Sequence, residues 1–410
     1  MVMIIKRLTL FTLISLVNLS SLYTQVVNIS GQVLRHNGDP LPNVTVTCSN
    51  GDSIITDENG SFEFSGLISD QNYQIDGFYE TSIFEEITVL DACYNRFMVN
   101  QIYNALSSQG LANDFNQDGI YQGLDFTRIA NAAIKIENAL NELNSPWRFF
   151  DSNIDNFNIN TSDITPGIYL EELSSDTSGL RLIAVKSGDV AIEVDHQPSP
   201  ASAPHPTFYF SDMAIEENEE ITISLKVRDL ENIMGFQHGL AWDTSFLNFI
   251  ACENKTNVFE LISNEAHVEE RVFPIMEIDV SAISGAQTVV DDAAIYEIRF
   301  QVLKDASSLS GILGFDNSFI QKQVVYLDPS NFTLYLVGAE CIIEESEPTA
   351  TNLNLDPTVS FDISPNPAFE IFPKEFIIYS FKLKKDSIVD LLLSYKSCLR
   401  MFKTFLIFEQ

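Results

Sequence analysis

Asp114-Phe115-Asn116-Gln117-Asp118-Gly119-Ile120-Tyr121-Gln122-Gly123-Leu124-Asp125 is the segment that orders everything around it in this 410-residue chain. Oxygen-bearing side chains fall at its first, third, fifth, ninth and twelfth positions: Asp114, Asn116, Asp118, Gln122 and Asp125. Calcium takes about six to eight hard oxygens, and this spacing wraps short carboxylates around one ion, with the main-chain carbonyl of Ile120 at position seven as a further ligand. Gly119 at position six permits the sharp backbone turn. Position twelve is Asp where a full EF-hand has a bidentate Glu, so a tighter loop or a water would complete the shell. The expected metal is therefore Ca2+, held by Asp114, Asn116, Asp118, Ile120, Gln122 and Asp125.

The loop is flanked by helical periodicity. Leu90, Cys93, Tyr94, Phe97, Met98, Ile102 and Leu106 recur at three- and four-residue steps, as do Phe126, Ile129, Ala130, Ala133, Ile136 and Leu140. Two amphipathic helices are expected, with Gly110 stopping the first. Leu90-Asp91 and Leu124-Asp125 each open a helix and lie 34 residues apart, the mark of a duplicated unit. This loop-plus-helix duplication over residues 86–143 resembles dockerin, the calcium-binding module of polysaccharide-degrading assemblies. The first copy, Glu80 to Asp91, departs from that pattern: Phe84 and Glu85 stand where a ligand and the glycine belong, so one ion is expected. Neutralising Asp114, Asp118 and Asp125 would let the loop close, so that Leu124 and Phe126 dock the following helix.

On either side the period changes to two. Residues 26–85 alternate apolar and polar positions between turn signals such as Gly38-Asp39-Pro40 and Asp57-Glu58-Asn59-Gly60, which argues a small antiparallel β-sandwich. Ser30 to Val33, Gly38 to Val46 and Thr56 to Phe64 resemble carboxypeptidase-regulatory-like and Cna-B-like modules of bacterial surface proteins. Residues 144–196 are turn-rich and β-like, and resemble the extension that follows dockerin-type units in Bacteroidetes-type surface proteins. Pro198, Pro200, Pro204 and Pro206 mark a linker over 197–206. From 207 to 343, strand-like runs recur at Ile221 to Val227, Phe236 to Phe249, Ala294 to Val302 and Phe332 to Val337, indicating a second, larger sandwich. Gly235 to Asp243 with Leu247-Asn248-Phe249 resembles a cohesin strand pair, cohesins being the β-sandwich partners of dockerins. Trp242 at an inward position reads as core rather than a ligand platform. The expected fold is mainly β with a small α segment: two antiparallel β-sandwiches flanking a calcium-loop helix pair.

The ends of the chain set its destination. Lys6 and Arg7 precede an uncharged run from Leu8 to Val17 and then polar residues, the layout of a secretory signal peptide over 1–24. The run is too short to span a bilayer, and no other segment reads as transmembrane. An acidic linker occupies 344–360. Ser364-Pro365-Asn366-Pro367 opens residues 361–410 and resembles the start of a type IX secretion sorting domain, which would imply an extracellular or outer-membrane-associated location. Beyond it the composition turns basic, so this domain reads as degenerate.

With 57 Asp and Glu against 23 Lys and Arg, a formal charge of −34, the chain repels a phosphate backbone, and nucleic acid is excluded as a partner. Cys48, Cys93, Cys252, Cys341 and Cys398 are widely spaced and odd in number, unlike a disulfide framework or a paired zinc motif. Each reads as a buried free thiol, with a Cys252–Cys341 bridge as the alternative. No nucleophile elbow, zinc-helix or phosphate-loop motif occurs, and His36, His196, His205, His238 and His267 are scattered, so no catalytic residue is assigned. His238, beside Trp242, reads as a satisfied strand histidine. The expected function is that of a secreted, non-catalytic surface or scaffold protein binding calcium and protein partners through dockerin- and cohesin-like modules. The alternative is a polysaccharide-binding accessory component of a degrading complex.

Overall fold

The computed structural model describes residues 25–82, 84–101, 106–136, 145–153, 164–191, 199–265, 268, 272–279 and 287–344, together with the backbone of three strands beyond 361. The signal segment, Leu140, and Asn366-Pro367 of the sorting motif lie outside the described residues. The chain divides into two compact units, Met1–Glu345 and Ser346–Gln410.

The first sandwich starts with β1 (Val26–Arg35), β2 (Thr45–Cys48), β3 (Ser53–Ile55), β4 (Ser61–Ile68) and β5 (Gln71–Phe78). Alternation does what the sequence requires: Val27, Ile29, Val33, Val46, Phe62, Phe64 and Ile75 form one apolar cluster. The turn into β4 is set by Asp57, whose carboxylate accepts the N–H groups of Asn59 at 2.9 Å and Ser61 at 2.8 Å. Gly60 completes it at φ +69°, where a Cβ would stand 2.4 Å from the Val33 carbonyl oxygen.

Within the 144–196 stretch, the described residues 145–153 and 164–191 are an integral part of this sandwich. They supply β6 (Trp147–Asp151), β7 (Ile168–Leu173) and β8 (Thr177–Lys186), and the two sheets run β4-β1-β8-β6 and β3-β2-β5-β7. β8 lies parallel to β1, with Val33 opposite Leu182. The helical segment is thus an insertion between β5 and β6, and Trp147 and Phe149 belong to the same core as Ile29 and Val46. In sequence this stretch reads only as β-like and without a partner, because pairing across more than a hundred residues, as between Val33 and Leu182, leaves no local mark.

The insertion holds α1 (Val89–Val99), α2 (Ser107–Asn113) and α3 (Gly123–Ala133). Thr88 caps α1: its hydroxyl accepts Leu90 N–H at 3.3 Å, while Asp91 reaches back to Thr88 N–H at 2.8 Å. This reciprocal pair satisfies two donors that a helix start leaves open. Contrary to expectation, Gly110 does not end the first helix. α1 stops at Val99, and Gly110 sits inside the short α2, fully buried with its neighbours Gln109 and Leu111. This glycine therefore lies in a buried helix interior and not at a helix end.

The second sandwich comprises β9 (Thr207–Ser211), β10 (Glu220–Arg228), β11 (Ile233–Trp242), β12 (Leu247–Asn254), β13 (Phe259–Ser263), β14 (Phe273–Asp279), β15 (Ala294–Val302), β16 (Leu313–Asp316), β17 (Gln323–Asp328), β18 (Thr333–Val337) and β19 (Glu340–Glu344). One sheet runs β12-β15-β10-β9-β19; the other runs β13-β14-β11-β17-β18, with β16 also on β11. Between them lie Phe236, Leu240, Trp242, Phe273, Ile298 and Phe300. Trp242 is 3% exposed, as its inward position implied. β11 and β14 break the alternation, since nearly every residue is buried. Each is covered on both faces, by the sandwich interior on one side and by the helices on the other.

Among the described cysteines, Cys48, Cys93, Cys252 and Cys341 are free thiols, so the alternative Cys252–Cys341 bridge is not formed. Their strands, β12 and β19, are the opposite edges of one sheet. Only Cys48 and Cys93 are fully buried. In the tail, β20 (Asp362–Pro365), β21 (Phe376–Lys382) and β22 (Ile388–Ser394) form a three-stranded antiparallel sheet. Ser364 and Pro365 of the sorting-like motif lie in the first of these strands.

Candidate metal loop and helix-docking face

The segment between α2 and α3 folds into a single loop tied by its own polar groups. Asp114 Oδ1 accepts Asp118 N–H at 3.0 Å and its Oδ2 accepts Gly119 N–H at 3.2 Å. Asp125, three residues into the helix, takes Asn116 N–H at 3.2 Å and Gln122 N–H at 2.9 Å. Asp118 Oδ2 accepts from the side chains of Asn116 at 2.8 Å and Gln122 at 3.5 Å. Gly119 adopts φ +92°, the left-handed turn expected at position six. Five of the six expected ligand residues are thus gathered through their side chains. Ile120 enters only by its backbone: its N–H meets Asp118 at 3.0 Å and its side chain is 61% exposed.

The charge balance is uneven. Asp114 and Asp125 are 0% exposed, whereas Asp118 lies at the surface. Burial, reinforced by Asp114 and Asp118, pushes the Asp125 carboxyl above its ordinary range despite its two backbone hydrogen bonds. Arg148 on β6, which the sequence reading passed over, is the nearby cation: its Nη1 stands 3.6 Å from Asp114 Oδ2 and its Nη2 donates to the Leu111 and Asp114 carbonyls. Burial lowers the Arg148 pKa, partly offset by Asp114 and Asp125. A lone Arg between Trp147 and two phenylalanines, in a chain this poor in cations, was the signal for it.

An oxygen-only donor set with mutually repelling carboxylates fits a hard divalent cation. The carboxylates are held by the loop's own N–H groups, and among the described residues no group of three or more His, Cys, Asp or Glu is placed to hold a metal. In the first copy, Asp91 has other work. It caps α1 and its Oδ1 accepts Val190 N–H at 2.7 Å and Ala191 N–H at 2.9 Å, fastening the chain that leaves the first sandwich.

Phe126 docks as expected, at 4% exposure, but Leu124 does not: it is 49% exposed. Leu124 lies in the first turn of α3 and outside the core shared with α1. α1 itself is seated on the six-stranded sheet. Val89, Leu90, Cys93 and Phe97 share one core with Met234, Met276, Ile278, Val325 and Leu327 of the sheet and Phe126, Ile129 and Ala130 of α3. Gly235 makes the close approach possible, since a Cβ there would stand 3.0 Å from Val89 Cγ2 and 3.3 Å from Cys93 Sγ.

A polar rim surrounds this seat. Gln237 Oε1 accepts Val89 N–H at 2.7 Å, and its Nε2 donates to Gln321 O at 3.0 Å. Arg96 pairs with Glu260 at 2.9 Å and lies over the Phe126 ring at 3.6 Å. Asn264 Nδ2 donates to the carbonyls of Ile134 at 3.1 Å and Lys135 at 2.9 Å, the open end of α3. Beside the rim is a cavity of about 660 Å3 lined by Glu86, Thr88, Lys135, Phe319 and Gln323 among others.

His238 Nε2 pairs with the Tyr296 hydroxyl at 3.1 Å, while Nδ1 is buried with no partner within hydrogen-bond geometry among the described residues. Burial lowers its pKa to about 3. Both tryptophans are 3% exposed, so neither offers a stacking surface to a sugar. No described helix is long and apolar enough to cross a membrane.

No protein-family model and no curated protein sequence matches this chain. Solved structures similar to it include cohesin domains. The seventh ScaB type I cohesin of Pseudobacteroides cellulosolvens is 16% identical over 35% of this chain and 96% of its own, with a TM-score of 0.26. The OlpC cohesin–dockerin complex of Clostridium thermocellum is 12% identical over 36% and 99%, with a TM-score of 0.28. A non-cellulosomal cohesin of the archaeon Archaeoglobus fulgidus is 10% identical over 35% and 92%, with a TM-score of 0.25.

Proposed function

We propose that this chain is a secreted, non-catalytic surface or scaffold protein that binds calcium at the 114–125 loop and recognises protein partners through its helix pair and its larger sandwich. The observation that carries this reading is the seat of α1 on the six-stranded sheet. An apolar strip with a glycine floor, ringed by Gln237, Glu260 and Asn264, is the construction of a protein-recognition face rather than of a reaction centre. In this chain the face is filled by the chain's own helices, so a partner reaches it in exchange for them. Asp114, Asn116, Asp118, Gln122, Asp125 and the Ile120 carbonyl would hold the metal. A bound Ca2+ would supply the positive charge that lets these carboxylates close together. Arg148 then keeps Asp114 anchored to β6 from behind.

The test is a pull-down from secreted proteins with the full chain, in calcium and again in chelator. Capture of a defined partner that changes with chelation is the expected result. Equal recovery of nothing in both conditions would end the recognition reading.

A second reading, an accessory that binds neutral glycans, is favoured by the cavity at the rim, whose size suits a small ligand and whose lining mixes Phe319 with amide and hydroxyl groups. A glycan array in calcium separates the two: sugar binding without a protein partner selects the second.

A further inference from the structure

β14 carries a side chain that neither reading uses. Its residues alternate between two cores: Phe273 and Ile275 face the sandwich interior, and Met276 and Ile278 face the core shared with the helices. Glu277 follows the first set. It is 0% exposed, and among the described residues neither carboxylate oxygen has a hydrogen-bond partner.

Among the described residues no cation is paired with Glu277, and burial is the one influence resolved on it. Tyr296 on β15 and Cys252 on β12 feel the carboxyl electrostatically. His238 on β11 is bonded to Tyr296, and Cys341 on β19 acts on the same hydroxyl. Glu253 and Glu265 act on Cys252. Lys322 acts on His238 and Cys341. On its own strand, Asp279 accepts from Gln287 at 3.0 Å. On the helix side, Asp91, Arg96 and Asp279 act on Cys93. Burial alone raises the Glu277 pKa well above the carboxylate range. An unpaired carboxylate between two sheets is so costly that the group keeps its proton instead.

The sign of the linkage follows. The folded chain holds a proton that the unfolded chain releases above about pH 4.3, so stability is greatest below that value and falls as pH rises toward the folded pKa. A strand cannot lose its place on one face alone, because the side chains of both faces hang on one register.

We propose that β14 is a proton-dependent latch for the helix seat: protonated Glu277 lets the strand hold Met276 and Ile278 beneath α1, and its ionisation opens strand and seat together. The reporter is Cys93, 0% exposed on the face of α1 that meets Gly235.

The experiment labels the full chain with iodoacetamide between about pH 7 and 9, above the range in which histidine titrates. Peptide mapping resolves Cys93 from the other cysteines, and wild type is compared with Glu277→Gln and with the exposed control Glu63→Gln. The wild-type and Glu63→Gln labelling rates of Cys93 should rise more steeply with pH than that of Glu277→Gln, by up to about tenfold per pH unit. Identical slopes in wild type and Glu277→Gln would overturn the latch. So would a pH-dependent gain at Cys252 with none at Cys93, which would confine the effect to the sandwich interior. Should the glutamine variant fail to fold, Glu277→Met, apolar and of similar volume, gives the same readout.

Discussion

Gln237 Oε1 accepts the backbone N–H of Val89 at 2.7 Å, so the first turn of α1 is closed by a strand residue 148 positions away. The same amide donates to Gln321 O at 3.0 Å. One buried side chain therefore joins the start of a helix, a central strand and the loop before β17. Glu277→Gln tests the inner face of that sheet; the outer face yields predictions of its own.

Replacing Gln237 by Leu strips both partners at once and leaves the buried Val89 N–H and the part-buried Gln321 carbonyl without this side chain. A buried donor left unpaired costs about 1–3 kcal/mol. Chemical denaturation of the full chain should show a loss of roughly 2 kcal/mol or more. A loss below about 0.5 kcal/mol, the scale of an ordinary surface change, would show that water replaces the amide without penalty.

Gly235→Val places a branched side chain where even a Cβ would stand 3.0 Å from Val89 and 3.3 Å from Cys93. Overpacking of this kind costs about 1–3 kcal/mol. Calorimetry should find the helix contact weakened, with Cys93 more readily labelled than in wild type. Unchanged protection of Cys93 would mean that the helix is not seated on Gly235.

Calcium at about a hundred times its Kd should stabilise the chain by roughly 2.7 kcal/mol, seen as a rise in Tm and in helical ellipticity that chelator reverses. Asp118 is exposed and bonded only within the loop. Asp118→Ala should therefore match wild type in chelator while losing the calcium response. Thermal melts of both proteins decide the point, and a full response in the variant would remove Asp118 from the site.

His238 supplies an acid limb opposite in sign to that of Glu277. Its folded pKa of about 3 lies below the ordinary value of 6.5, so the folded chain excludes a proton that the unfolded chain binds. Stability is complete above about pH 6.5 and is lost as pH falls below it, by about 1.4 kcal/mol per pH unit for one such group. His36, lowered to about 4 by burial, adds to the same limb. His238→Gln, which can still meet the Tyr296 hydroxyl, should flatten the decline between about pH 6 and 4. Urea titrations across that range measure it, and an unaltered slope would assign the acid sensitivity elsewhere.

The parts of this fold that were legible in the sequence are those written in short periods. Alternation located β1, β4, β10 and β15, and the spacing from Leu90 to Met98 located α1, because each element must bury one side of itself. The loop from Asp114 to Asp125 was legible for a different reason: its residues serve one another, as the hydrogen bonds of Asp114 and Asp125 show. What distant residues decide was not legible. Nothing near Leu182 announces that it lies beside Val33, and nothing near Gly110 distinguishes a helix stop from a packed helix interior. β11 and β14 concealed their double burial in the same way, because the cover on their second face comes from a segment more than a hundred residues earlier. Asp91 closes the first copy's loop in the sequence, and its oxygens are committed to Thr88, Val190 and Ala191.

The parallel pairing of β1 with β8 bears on how the molecule is made. β1 sits between β4 and β8, so its second edge stays open until the chain has been synthesised through Lys186. During elongation the amino-terminal half is therefore an unfinished sheet with a bare flank, the kind of species that associates wrongly with its neighbours. A protein built this way depends on the later segment arriving promptly, and slow translation between Phe78 and Thr177 would be expected to lower the yield of native chain more than the same delay placed after Lys186.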